Sequence, residues 1–399
     1  MTTDGTEAIA ERVAWAVDGL ELEIPSWGFA NTGTRFRVFP QAGTPRDTWE
    51  KIDDVATIAR YTGIAKAVAL HIPWDSVADD AELRRYAAAR GLRVGAVNSN
   101  TFQDADYRLG SLCHPDARVR AKAVDATLAA AAVAGATGSA FLKVWLADGT
   151  NYPGQDDLRA RRRRLVDSLR AVASGLPAGV GLLLEYKFYE PAFYSTDVAD
   201  WGQALSVCRL VGDRAVVCVD TGHHAPGVNI EQIVAALLAE GRLGGFDLND
   251  RKYGDDDLMV GSIDPYQLFR VVHELVNAMR DDDDPVAQAT ARRTVYMLDQ
   301  CHNIEARVPA VIRSVMTLQE TFAKALCVDR DALLAAQAAG DVVEANRLLA
   351  DAYATDVRPA LAMLRTARGL PADPYVAYRG SGDDERRAAA RVGGTAASW

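Results

Sequence analysis

Cysteine is scarce: five in 399 residues, an odd number with no CxxC pair among them. Cys113, Cys208, Cys218, Cys301 and Cys327 therefore read as reduced thiols of a cytoplasmic chain, with neither a disulfide framework nor a cysteine metal site. Long apolar runs are missing too. Nothing approaches the roughly 18 consecutive apolar residues that a membrane span requires. The opening stretch, MTTDGTEAIAERVAWAVDG, lacks the basic-then-apolar order of a signal peptide. Positive charge is in deficit, with 44 Lys and Arg against 54 Asp and Glu and a net −10, which counts against nucleic acid or an anionic membrane as partner. The basic run at 161–164 is the local exception and reads as a solvated helix face. What is plentiful is apolar content: 49% hydrophobic suffices for one large α/β domain with an appendage.

Short β-rich runs alternate with longer helical patterns. Strands are expected at 21–29, 66–72, 92–99, 139–146, 180–187, 215–222, 243–250 and 294–299. Helices are expected near 47–61, 79–90, 116–135, 156–175, 197–210, 229–240, 264–279 and 303–326. Eight such units in about 300 residues predict a parallel (β/α)8 TIM barrel rather than an open doubly wound sheet. The strands are near-continuous apolar runs, as burial on both faces requires. A helical segment (1–20) precedes the barrel (21–326). An Ala-rich helical extension (327–399) follows, broken at Gly340 and Pro359 and ending in a loose tail over the last 20 residues. The acidic run 281–284 before Pro285 reads as a solvated loop.

The polar residues stand where these strands end. His71, Asn98, Trp145, Glu185, Lys187, Asp220, Asp247 and Asp299 close, or nearly close, strands that a barrel would bring to a single mouth. Asp220 and His223 flank a Gly-containing turn in VDTGHH. Asp255 and Asp257 follow Asp247 in GGFDLNDRKYGDDDL, where they would share one face of extended chain. So many carboxylates aimed at one place repel unless divalent cations neutralise them, which predicts a metal site, binuclear in form. Lys187 shares the face of Glu185 and suits a fixed positive charge on a developing oxyanion. His224 is open between supporting the ligands and simple structural burial. His302 and Asn303 are open between supporting Asp299 and starting a helix. The front loop WGFANTGTRFRVFP (27–40) and HIPWD (71–75) add Trp27, His71 and Trp74, an aromatic wall suited to the C–H face of a sugar.

In WGFANTGTRFRVFPQ, HIPWD, WLADGTNYPGQ, LLLEYKFYEPAFY, VDTGHH, GGFDLNDRKYGDDDL and LDQCHN the chain resembles the L-rhamnose isomerase group of sugar isomerases, related to xylose isomerase. The resemblance spans most of the barrel. It implies two divalent ions, Mn²⁺ first, with Mg²⁺ or Co²⁺ as alternatives. One ion would be held by Glu185, Asp220, Asp247 and Asp299. The catalytic ion would be held by His223, Asp255 and Asp257, with Asp220 close by. Lys187 matches the lysine that contacts the reacting oxygens of the substrate, and His71 matches a position linked to sugar binding or ring opening. Trp27 and Trp145 would line the sugar pocket. Phe36 would reach a neighbour's pocket in a homotetramer. One position departs: rhamnose-type enzymes carry His where this chain has Asp247, and xylose isomerases carry Asp there. Six carboxylates then face two divalent ions and Lys187, a near balance that favours hard Mn²⁺ or Mg²⁺.

The expected reaction is aldose–ketose isomerisation of a small-molecule sugar, L-rhamnose to L-rhamnulose, through a hydride shift, with other aldoses open. A metal-dependent hydrolase or endonuclease on a similar barrel, and an inactive sugar-binding subunit, are the alternatives.

Overall fold

The computed structural model describes residues 3–34, 37–190, 193–301 and 304–392. Eight parallel strands close into a barrel: β1 (Leu22–Pro25), β2 (Ala65–Ile72), β3 (Arg93–Ser99), β4 (Phe141–Trp145), β5 (Gly181–Glu185), β6 (Ala215–Asp220), β7 (Leu243–Leu248) and β8 (Val295–Leu298). Each pairs with its sequence neighbour, and β1 closes the ring on β8 through Glu23 opposite Met297. All eight strands expected from the apolar runs are present. Seven are one to five residues shorter than their runs, and β2 is one residue longer.

Helices fill the spaces between strands, and their starts follow from local chemistry. Asp47, Asp79, Asp116, Asp157, Asp200 and Asp264 each accept a backbone N–H from the first turn of the helix that follows. Part of the acidic surplus thus sits where it meets the positive end of a helix dipole. Gly63 and Gly138 end two of these helices at φ 76° and 79°, a left-handed turn that a Cβ would oppose.

Three expectations need correction. The acidic run 281–284 is not merely solvated. Asp284 caps a helix that the sequence reading missed, Pro285–Arg293, by accepting from the Ala287 amide at 2.9 Å, and Asp281 pairs with Arg330 at 3.0 Å. The basic run is a solvated face only in part: Arg163 is exposed, but Arg161 and Arg164 are not. Arg161 is buried, with its Nε 2.7 Å from Asp197, and Arg164 donates to the Cys113 carbonyl at 2.7 Å. These arginines face inward because the loops around them present carboxylates and carbonyls that need donors.

The third correction concerns the tail. Helices Arg330–Ala338, Val342–Ala354 and Arg358–Ala367 are followed by Pro374–Arg379 and Asp383–Ala390. Arg387 and Arg391 both reach the buried carboxylate of Asp54 at 2.7 Å, and Tyr378 packs edge-on to Tyr61 with ring centroids 5.4 Å apart. The tail is therefore anchored to helix Thr48–Thr62 as far as Arg391. Among the described residues no helix is long and apolar enough to cross a membrane, and the five cysteines are unpaired.

Candidate active site

Four strand ends deliver the acidic residues. Glu185 ends β5, Asp220 ends β6, Asp247 lies one residue from the end of β7, and Asp299 directly follows β8. One carboxylate oxygen from each lies within 4.8 Å of the others. Glu185, Asp220 and His223 form a second group of the same tightness. Asp220 is oriented by the Gly222 amide at 2.6 Å and by Asn249 Nδ2 at 3.1 Å, and Trp27 Nε1 donates to Asp299 Oδ1 at 2.9 Å.

His223 Nδ1 lies 3.0 Å from the Tyr186 carbonyl, which can only accept, so this nitrogen carries a proton. Burial opposes charge on the ring, but Asp220 and Asp255 raise its pKa well above the usual value, so Nε2 also carries a proton and donates to Asp255 Oδ1 at 2.8 Å. A metal ion between them would take that proton's place.

Asp255 and Asp257 arrive on a tightly knotted loop, not on extended chain. Both have left-handed φ, 58° and 46°. The intervening Asp256 turns outward and accepts the amides of Lys252, Tyr253 and Gly254 at 2.7, 2.8 and 2.9 Å. Asp250 braces the base of the loop by accepting the Ile263 and Asp264 amides at 2.7 and 3.0 Å. Strain held in place by such bonding is characteristic of functional sites.

The electrostatics show how poorly the protein alone compensates this cluster. Burial, with the neighbouring acids, raises Glu185 and Asp257 well above the usual carboxylate range, raises Asp220, and pushes Asp299 up to about 7. Burial also opposes the charge on Asp255, but the His223 hydrogen bond and Lys187 bring it down to about 2. Asp247 Oδ1 is buried and has no hydrogen-bond partner among the described residues. Hard oxygens, one imidazole nitrogen and an unpaired buried carboxylate oxygen fit divalent cations.

Beside the cluster lies a cavity of about 110 Å³. His71 stacks on Trp74 with centroids 3.8 Å apart and stands edge-on to Trp27 at 5.7 Å. Trp145 meets Phe102 edge-on at 4.9 Å. Burial, with Lys143 and Lys51, lowers His71 to about 3, so its imidazole is neutral. Lys187 reaches into the cavity with Nζ 2.9 Å from Glu190, in contact with Asp255 and 5.0 Å from the Trp145 ring centre. A larger cavity of about 620 Å³ opens at the opposite end of the barrel, between Trp15, Arg93, Arg280 and Tyr296. It has none of the clustered ligands, so chemistry rather than size selects the smaller one.

The structure thus brings Trp27, His71, Trp145, Glu185, Lys187, Asp220, His223, Asp247, Asp255, Asp257 and Asp299 to one mouth. Phe36, His302 and Asn303 lie outside the described residues. His224 turns to the Tyr186 hydroxyl at 2.6 Å in the buried wall. Sequence reasoning missed Lys143, Glu190 and Phe102. Lys143 contacts Asp247 and lies 3.3 Å from Glu185. A lone lysine in the apolar run SAFLKVWL, on the same strand face as Trp145, was the available signal.

Fold and ligand set together define a (β/α)8 barrel with a centre suited to divalent metal at its C-terminal mouth. Residues 52–283 match the family described as xylose isomerase-like TIM barrel, and the chain belongs to that family. A protein of Mesorhizobium japonicum named "probable sugar isomerase" is 45% identical over 387 residues, covering 96% of this chain and 88% of its own. A protein of Rhizobium meliloti with the same name is 44% identical over 375 residues, covering 93% and 86%. The fold alone is shared with an L-ribulose 3-epimerase structure (TM-score 0.51, 16% identity, 81% of this chain and 98% of that one). The same holds for a D-psicose 3-epimerase crystallised in the presence of D-fructose (TM-score 0.50, 15% identity, 78% and 98%).

Proposed function

We propose that this protein is an aldose–ketose isomerase that interconverts L-rhamnose and L-rhamnulose, with two divalent ions, Mn²⁺ before Mg²⁺ or Co²⁺, as cofactors. The observation that carries this reading is the meeting, in one small cavity, of a protonated lysine, an oxygen-rich cation site and an aromatic wall. Glu185, Asp220, Asp247 and Asp299 would hold one ion. His223, Asp255 and Asp257 would hold the other, beside Asp220. Bound there, the ions would polarise the two reacting oxygens of the open sugar.

The chain's own residues do the rest. Burial disfavours the charge on Lys187, but Asp255 and Glu190 outweigh it and raise its pKa, so the ammonium stays protonated. It therefore donates to the oxygen that gains charge and does not act as a base. Neutral His71, fixed by its stack on Trp74, can hydrogen-bond a sugar hydroxyl during ring opening. Trp27 and Trp145 cover the C–H face and keep water from the reacting carbons. Glu190 is tied to Lys187 and the other lining carboxylates would hold the ions, which leaves no free carboxylate base in the cavity among the described residues, so a hydride shift between the carbons is favoured over an enediol. By the same reading the enzyme works in the cytoplasm as a homotetramer, with the front loop around Phe36 reaching a neighbouring pocket.

The test is a substrate panel with Mn²⁺-loaded protein: L-rhamnose, L-mannose, L-lyxose, D-allose and D-allulose, with products read by chromatography. L-rhamnose is expected to turn over with the highest kcat/KM. Preference for another aldose would keep the reaction class and change the substrate. Bound ions with no sugar converted would move the reading to a hydrolase or an inactive sugar-binding subunit.

A further inference from the structure

We propose that Lys143 is an internal counter-ion of the metal centre, the residue that sets how tightly the site holds divalent cations. This rests on the two-ion reading above. Lys143 stands on β4, two residues before Trp145, and only 2% of its side chain is exposed. Its Nζ contacts Asp247 Oδ2 and lies 3.3 Å from Glu185 Oε2. Among the described residues no other cation reaches Asp247. Lys187 is committed elsewhere, to Asp255 and Glu190.

Two consequences follow from this geometry. With one oxygen of Asp247 on Lys143, only Oδ1 is left facing the cluster, where it has no hydrogen-bond partner. Lys143 thereby fixes Asp247 as a one-oxygen ligand. Charge gives the second consequence. Two divalent ions and Lys187 do not cover the charge of the six carboxylates together with Glu190, and Lys143 adds positive charge where Asp247 and Glu185 stand. A permanent ammonium beside the cation position also repels any divalent ion that enters, since buried charges a few ångströms apart are weakly screened. Lys143 thus stabilises the ion-depleted barrel and weakens its hold on the ions, which keeps them exchangeable. A plain buried ion pair would stiffen the barrel without changing ion affinity.

The experiment is Mn²⁺ titration of the full-length chain by calorimetry and by EPR of free Mn²⁺, for wild type, Lys143→Met and Lys143→Arg. Thermal unfolding is followed in chelator and at saturating Mn²⁺. Lys143→Met should bind the ion held by Glu185, Asp220, Asp247 and Asp299 about tenfold or more tightly, as removal of a buried like charge requires. Lys143→Arg should stay close to wild type. In chelator the methionine variant should unfold at lower temperature, and Mn²⁺ should narrow that gap. If Lys143→Met does not fold in chelator, folding as a function of Mn²⁺ becomes the readout, and recovery with the ion is expected. Unchanged or weaker Mn²⁺ binding by the methionine variant overturns the proposal. So does failure to fold at any Mn²⁺ concentration, or absence of Mn²⁺ binding in wild type and variant alike. Altered ion affinity with no sugar turnover in any form would strike the isomerase reading and leave the role of Lys143 standing.

Discussion

Lys187 holds its ammonium between Glu190 and Asp255, beneath the Trp145 ring, so its charge is aimed before any substrate arrives. In the proposed reaction its value lies in the charge that develops on oxygen. Lys187→Met is therefore predicted to lower kcat by about 10²–10³-fold, with KM moved far less and the number of bound Mn²⁺ ions unchanged, as steady-state kinetics and metal analysis would show. Glu185, Asp220, Asp247 and Asp299 were legible in the sequence because each breaks an apolar run at or near its end, where only the mouth of a barrel tolerates charge. Lys143 was missed because it sits in mid-strand. Strands buried on both faces show no alternation, so the mark of its face was its two-residue spacing from Trp145 alone. The left-handed turns at Asp255 and Asp257 were hidden for another reason: they depend on Asp256 folding back onto three amides.

At the level of elements, the helix starts were readable because a capping aspartate leaves a local signature. Asp284-Pro285 carries that signature too, but four consecutive aspartates masked it as loop. The end of the chain was misread for a deeper reason. Its small polar composition resembles a free tail, and only the fold brings Arg387 and Arg391 to Asp54, more than 300 positions earlier. Desolvation raises Asp54, and the two arginines oppose that rise. Asp54→Ala would leave the largely buried Arg391 with only the more distant Glu50 carboxylate, at 3.3 Å, and breaking a buried pair of this kind costs up to about 3–5 kcal/mol. The predicted result is a lower urea midpoint and early proteolysis after residue 373. An unchanged midpoint would show that the clamp adds nothing to stability.

For the whole molecule, the crowded acids make stability depend on pH and metal together. Burial, then repulsion by Asp247, holds Asp299 at about 7 in the folded chain against an ordinary 3.8, and Glu185 and Asp257 shift the same way. Between about pH 4 and 7 the folded state therefore binds more protons than the unfolded state, and stability falls as pH rises through that window. Chelator-treated protein should melt at higher temperature at pH 5 than at pH 8. Saturating Mn²⁺ should flatten or reverse the trend, because the ion takes the place of the protons. A pH-independent melting temperature in chelator would mean that the acids are already compensated within the fold.

The central claim is a metal-dependent aldose–ketose isomerase, and one assay tests it most directly. The protein is stripped with chelator, half is restored with Mn²⁺, and conversion of L-rhamnose to L-rhamnulose is followed in both. No conversion in the stripped sample and restored conversion with Mn²⁺ is the predicted result. Equal conversion with and without the ion, or two bound ions and no conversion, would contradict it.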